Sequence, residues 1–201
     1  MSETQFPQLP PPLSDRSCGT CNVCCYALTI DEPALAKPQG IRCPHTAADL
    51  SCTIYGTRPG TCRSFWCGWR LFRWVRRTLR PDESGVLIRT QYQISPGGDA
   101  RAGVIFSLLT AGALEAEGLL ESIAAAIAGG LIVHVHIPGP AGYTSSTARI
   151  DEALADVVMR RDKPGMMALL REALKEGQSG PRRKIVLKHA PNGGGEATTI
   201  H

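Results

Sequence analysis

After Cys67 the chain has no cysteine: all eight fall between Cys18 and Cys67, and residues 68–201 carry none. That absence confines whatever the thiols do to one region. It also excludes a fold stapled throughout by bridges, which a chain of 201 residues, long enough to bury an ordinary core, does not need. Long apolar runs are missing too. The most apolar stretch, Leu119 to Ile137, is interrupted by Glu121, Ser122, Gly129, Gly130, His134 and His136, against the ~20 apolar residues of a helical membrane span. No membrane partner is expected. The opening MSETQFPQLPPPLSD has neither a basic n-region nor an apolar h-region, so it is not expected to act as a secretory signal. Together these features predict a cytoplasmic location, where thiols stay reduced and disulfides are rare. No Ser-His-Asp pattern, phosphate loop or dinucleotide fingerprint appears, and no catalytic residue is assigned.

What is present is an ordinary globular composition, 43% hydrophobic and 20% charged. The formal charge of +4 and pI of 8.7 treat every thiol as neutral. Metal-bound cysteines are thiolates. Eight of them around two divalent ions would contribute about −4 and cancel the excess, so the basic pI is a weak argument for a nucleic-acid partner.

Along the chain, residues 1–14 read as a disordered tail, with Pro10, Pro11 and Pro12 favouring an extended path. Residues 15–80 form a cysteine-cluster module, rich in turn residues. The spacing of Leu71, Phe72, Val75 and Leu79, with arginines on the other side, predicts a helix over 69–79 stopped by Pro81. Residues 81–189 read as a mixed α/β region. Its expected elements are a strand over 84–94, a turn at 95–99 and an apolar segment at 103–110 that suits a strand or a helix start. They continue with a helix over 111–128 closed by Gly129 and Gly130, a strand at 131–137, helices at 147–160 and 164–176, and a last strand at 182–188. Residues 190–201 read as a second disordered tail. The expected fold class is α+β: a metal-stapled cysteine-rich N-terminal module packed on a small mixed α/β region, as one compact body.

The thiols carry the chemistry. Cys18, Cys21 and Cys24 are each separated by two residues, a spacing that lets neighbouring sulfurs turn onto one ion while backbone amides hydrogen-bond the thiolates. Cys25 directly follows Cys24, and neighbouring side chains usually diverge, so the pair reads as serving two sites, or one site plus a spare thiol. Cys43, Cys52, Cys62 and Cys67 are spaced as returning segments of a metal-stapled loop fold. The plain alternative is eight buried structural thiols, which such density makes a poor account. All eight are assigned as metal ligands.

CGTCNVCC, then CPH, then CTIYGTRPGTCRSFWC, in that order over residues 18–67, resembles the zinc- or iron-chelating cysteine-cluster family of the YkgJ type, marked by its CxxCxxCC opening. Only residues 26–42 separate Cys25 from Cys43, a shorter insertion than in many relatives, leaving less room for a substrate pocket. The resemblance implies metal chelation and little about activity. Flagellin lysine methylases carry a similar cysteine-rich region, which makes an iron–sulfur enzyme a second reading. A nucleic-acid-binding zinc protein is a third.

Two four-cysteine zinc sites would use every sulfur and be closed and structural. The rival is a four-iron cluster on the C-x2-C-x2-C run with Cys43-Pro44. Zinc is preferred because closed all-cysteine sites need no assembly machinery. His45 is either a nitrogen ligand or a surface histidine. Arg58 and Arg63 either donate to thiolates or are solvated beside a turn. Phe65, Trp66, Trp69, Phe72 and Trp74 read as a local core, with a dry lid over thiolates or a base-stacking platform as alternatives. The arginines of 69–80 suit phosphates or solvent. His134 and His136 alternate along one strand, so both lie on one face, either as metal chelators or as its exposed side. Cys21→Ser is expected to lose metal and loosen the module; retention of full metal content and native thermal stability by that variant would contradict the ligand assignment.

Overall fold

A computed structural model of the chain describes residues 8–94, 100–178, 180–189 and the backbone of 199–200. The fold is mixed α+β. No described helix is long and apolar enough to cross a membrane. The elements open with helix α1 (Val23–Ala27), a small hairpin β1 (Ile30–Glu32) and β2 (Leu35–Lys37), then short helices α2 (Gly60–Ser64), α3 (Gly68–Leu71) and α4 (Pro81–Ser84). Strands β3 (Val86–Ile94) and β4 (Ala100–Leu108), helix α5 (Leu119–Ala128) and strands β5 (Ile132–Ile137) and β6 (Ser146–Arg149) follow. Helices α6 (Asp151–Met159) and α7 (Lys163–Gln178) and two-residue strands β7 (Arg182–Arg183) and β8 (Thr199–Ile200) complete the chain.

The chain divides into two units. One takes residues 1–17, 66–137 and 147–178; the other takes 18–65, 138–146 and 179–201. In the first, β3-β4-β5-β6 form a four-stranded sheet, β3 antiparallel to β4 and β4 parallel to β5. One face, carrying Val86, Ile88, Val104, Phe106, Val133 and Val135, is buried under Leu119 and Ile123 of α5, Leu154 of α6 and Met166 and Leu170 of α7. The parallel β4–β5 step needs a crossover, and α5 supplies it. The other face carries Arg89, Gln91, His134 and His136, all partly exposed. In the second unit β1 pairs with β2, and β7 with β8.

The expected helix over 69–79 does not form. Only Gly68–Leu71 is helical, followed by an extended Phe72 and a single 3-10 turn at Arg77–Leu79. Its apolar residues still reach the core, with Leu71, Val75 and Leu79 buried. Two interactions favour the unwound path. Phe72 and Trp74 stack with centroids 5.0 Å apart, a contact unavailable to residues two apart on a helix. Arg16, only 6% exposed, donates to the carbonyls of Trp69 (2.7 Å), Phe72 (3.2 Å) and Val75 (2.8 Å), taking over oxygens that helical amides would otherwise occupy. Its guanidinium also lies 5.3 Å from the Trp69 ring centroid. Pro81 begins α4 rather than ending a helix, a position its fixed φ suits.

The expected helix over 111–128 is broken. Residues 111–115 form a 3-10 turn and α5 starts at Leu119, because Gly118 sits at φ +86 and a Cβ there would meet that of Arg76 at 2.6 Å. The helix predicted from residue 147 starts at Asp151, since Ser146–Arg149 is recruited to the sheet as β6. Residues 103–110 resolve as strand, within β4. The last strand is reduced to Arg182–Arg183, with Lys184 bridging Tyr143. The turn at 95–99, residues 1–7 of the first tail and residues 190–198 and 201 of the second lie outside the described residues. Residues 199–200, expected to be disordered, pair as β8. Leu13, within the predicted N-terminal tail, donates its amide to the Arg70 carbonyl at 2.8 Å.

Arg16→Ala removes three hydrogen bonds from a charged donor, two of them buried, and is expected to cost about 3 kcal/mol, with Arg16→Lys recovering part of it, measured by urea unfolding of the reduced chain. Equal stability of Arg16→Ala and the parent would show that the aromatic segment holds its path without this clamp.

Candidate metal centre

Every cysteine except Cys67 falls in the second unit, and no cysteine forms a disulfide. The segment Cys18–Cys21 closes as a turn, the Cys21 amide donating to the Cys18 carbonyl at 2.8 Å. Helix α1 then carries Cys24 and Cys25. The returning strand of chain is tied directly to it: the Cys43 amide donates to the Cys25 carbonyl at 3.1 Å. Below lies the β1–β2 hairpin, whose Ile30 and Leu35 form a small apolar cluster with buried Cys43, and Cys25 and Cys62 pack against it. Cys62 is delivered by α2. That helix is anchored by Glu32 of β1, whose carboxylate accepts the amides of Gly60 (3.1 Å) and Thr61 (2.6 Å), a favourable place for negative charge.

Lys37 completes this neighbourhood. It is 2% exposed, on the same face of the hairpin as Ile30, its register partner. Its ammonium donates to the carbonyls of Tyr26 (3.4 Å), Leu28 and Pro38 (3.2 Å). Among the described residues no carboxylate lies within ion-pair distance of it. Burial pulls its pKa down, and Cys43, Cys25, Cys24 and Cys62 pull it back up. Four thiols therefore act electrostatically on one buried cation.

Cys24 and Cys25 do not diverge. They share a hydrogen bond, which lowers the Cys25 pKa to about 6 and raises that of Cys24. Burial opposes the shift at Cys25, while Lys37 and Arg58 assist it. Cys24 is raised further by burial and by the charges of Cys25, Cys21 and Cys18, which places the CxxCxxC run around it. The Cys62 thiol is raised, first by burial and then by Cys25 and Cys43.

Cys52 bridges Thr46, so the CPH and CTIY segments run antiparallel, with the Thr53 amide on the His45 carbonyl at 2.9 Å. Cys67 belongs to the first unit, preceding α3 and packing on that unit's core. Arg58 sits over the Tyr55 ring at 3.7 Å and donates to the Tyr55 carbonyl. Arg63 is exposed. Among the described residues no three of His, Cys, Asp and Glu stand together closely enough to hold a metal ion. The donor chemistry suits a thiophilic ion, since Cys25, Cys43 and Cys62 pack on one apolar floor; the sulfurs themselves are not closed into a ligand shell.

The histidines of β5 are engaged elsewhere. Arg89 donates to Nδ1 of His136 at 2.8 Å, and Gln91 meets Nδ1 of His134 at 2.5 Å. Arginine can only donate, so His136 carries its proton on Nε2, and neither ring nitrogen presents a free lone pair. Chelation through the two β5 histidines does not fit this arrangement. Sequence reading missed Lys37, although the alternation Leu35-Ala36-Lys37 puts it on the inward face with Leu35.

Comparison of the chain with family models, with curated proteins and with solved structures gives no match in any of the three.

The sign of the Cys25 shift gives a prediction. With metal stripped and thiols reduced, iodoacetamide is expected to modify Cys25 ahead of Cys24 at pH 7, with the rate falling about tenfold for each pH unit below about 6 as the thiolate is protonated. Peptide mapping by mass spectrometry reads both sites. A Cys25 rate that keeps rising up to pH 9 would contradict the shared hydrogen bond.

Proposed function

We propose that this chain is a metal-binding cysteine-cluster protein, taking zinc or iron through its thiolates. The observation that carries the reading is the buried ammonium of Lys37 beside Cys24, Cys25, Cys43 and Cys62 with no carboxylate partner among the described residues. A buried cation is costly unless compensated, and thiolates are the compensating charge within reach. A divalent ion on four thiolates leaves a net charge of about −2, which Lys37 and Arg58 bring towards neutrality.

In this reading Cys25, Cys43 and Cys62 hold one ion, with Cys24 completing the set or shared with Cys18 and Cys21, which hold a second together with Cys52. Bound metal would supply the cross-links that fix these loops. Ile30 and Leu35 keep water off the sulfurs from below, Glu32 positions α2 and hence Cys62, and the Cys43–Cys25 backbone bond aligns the two segments. The resemblance to the YkgJ-type family, carried by CxxCxxCC and the CTIYGTRPGTCRSFWC segment, supports the same reading. Zinc is preferred on the donor chemistry, because the module is rich enough in thiols for closed four-sulfur sites.

The test is metal content and a visible spectrum on the chain purified without oxygen. Stoichiometric zinc and no colour would support closed thiolate sites. Iron with acid-labile sulfide and a broad visible absorption would support the iron–sulfur form. A reduced chain that carries neither and takes up neither on reconstitution would overturn the reading. Lys37→Gln is expected to weaken metal retention about tenfold against a chelator while Lys37→Arg retains it, because a charge-preserving change keeps the compensation.

A further inference from the structure

The sheet face opposite the helices carries a second polar cluster that thiol chemistry does not use. On β3, Arg89 and Gln91 point to the same side, as residues two apart on a strand must. On β5, His134 and His136 do the same. The middle strand β4 places Ile105 between Arg89 and His134, Gly103 beside Gln91, and the buried Ser107 next to His136. Two side-chain contacts cross β4 diagonally and in parallel, Arg89 to His136 at 2.8 Å and Gln91 to His134 at 2.5 Å. Gly103 makes the second crossing possible. A Cβ at that position would lie 3.1 Å from the Gln91 amide nitrogen and 2.6 Å from the Ile132 carbonyl oxygen.

The charge balance of this cluster is incomplete. Arg89 is largely buried, and burial is the named cause of its lowered pKa. Among the described residues no carboxylate lies within ion-pair distance of it, and its buried Nε has no hydrogen-bond partner. Its one side-chain partner, His136, is neutral, with the proton on Nε2. Asp151, the carboxylate closest in sequence to β5, is engaged by Arg149 at 2.9 Å and by the Val133 amide at 3.2 Å. The cluster thus offers a positive charge and a side-chain amide, and Arg89 has no carboxylate within ion-pair distance among the described residues. Arg89, Gln91, His134 and His136 all keep partial exposure, so a small molecule can reach them.

We propose that this face binds a small oxyanion, a carboxylate or phosphate, with the Arg89 guanidinium as the charged donor and the Gln91 amide as a neutral donor. Guanidinium pairs with both anions through parallel N–H···O bonds. The neutral His136 holds the guanidinium through Nδ1 without neutralising it, so one monoanionic group balances its charge. The inference is independent of metal binding, since every residue in it lies in the sheet unit.

The test is calorimetric titration of the full reduced chain with inorganic phosphate and, separately, succinate, alongside long-range 1H–15N spectra of the imidazoles. Saturable binding of either probe with a shift of the His136 Nδ1 signal, the nitrogen that contacts Arg89, is expected. Phosphate alone would identify a phosphoryl ligand; succinate alone would identify a carboxylate. Arg89→Gln keeps a donor for His136 and removes the charge, and should weaken the binding about tenfold or more, while Arg89→Lys retains part of it. Absence of binding by both probes at millimolar concentration in the folded parent chain would overturn the proposal. So would equal binding by the parent and an Arg89→Gln variant shown to be folded by its amide spectrum.

Discussion

A positive charge buried without a carboxylate sets the terms in both units of this chain. Lys37 and Arg16 are withdrawn from water and Arg89 partly so, and among the described residues none has an acidic partner within ion-pair distance. Burying such a group is unfavourable by several kcal/mol unless polar neighbours replace its hydration. The three solutions differ, and the difference separates a structural clamp from a site. Arg16 spends its guanidinium on three backbone carbonyls and the Trp69 ring. The carbonyls there are fixed dipoles, so the arrangement acts as a clamp on the backbone, although its buried Nε, like that of Arg89, has no hydrogen-bond partner. Lys37 also reaches three carbonyls, but its other neighbours are thiols, groups that become anions when they lose a proton or take a metal. Arg89 faces a neutral imidazole and keeps an N–H with no partner.

Much of the fold was legible because its strongest signals are long and regular. The alternation in Val86–Ile94 and in Ile132–Ile137 is that of strands, and both form. The failures share a cause. Trp69–Leu79 has helical spacing and buries the residues that spacing marks, yet the backbone is held open by Arg16, more than fifty residues away in sequence for each carbonyl it binds. Periodicity reports which side chains go inward; it cannot report a distant guanidinium competing for carbonyls. The break before α5 is similar. Gly118 looked tolerable inside an Ala- and Leu-rich helix, and only the approach of Arg76 to its Cα side makes it a boundary.

In the candidate site, the cysteines announced themselves by density, while the groups that organise them did not. Glu32 and Lys37 look like ordinary surface residues flanking Pro33 and Pro38. Their roles depend on the β1–β2 register, Ile30 opposite Lys37 and Leu35 opposite Glu32, which the three-residue strands barely signal. The vicinal thiols carry the opposite lesson. Adjacent side chains on a chain generally point apart, but the short helix α1 brings the sulfurs of Cys24 and Cys25 into one hydrogen bond, so they titrate as a pair.

The sizes of the two cores give the cysteine cluster a physical purpose. The sheet unit buries a continuous set of aliphatic and aromatic residues under three helices. Among the described residues the cysteine unit buries Val23, Ile30, Leu35, Cys43 and Leu187 as its apolar side chains, and its elements α1, β1, β2 and α2 run to five residues at most. Ordering a residue costs about 1–2 kcal/mol of backbone entropy, and so few buried apolar side chains cannot offset that over residues 18–65. Hairpin hydrogen bonds contribute modestly, since each replaces one made to water. The shortfall falls in the loops that carry Cys18, Cys21, Cys43, Cys52 and Cys62, where a single ion would tie several distant segments at once. A metal–thiolate cross-link is the contribution that scales with the number of cysteines rather than with apolar area, and under the proposed function it would account for thiols crowding the one part of the chain where aliphatic residues are scarce.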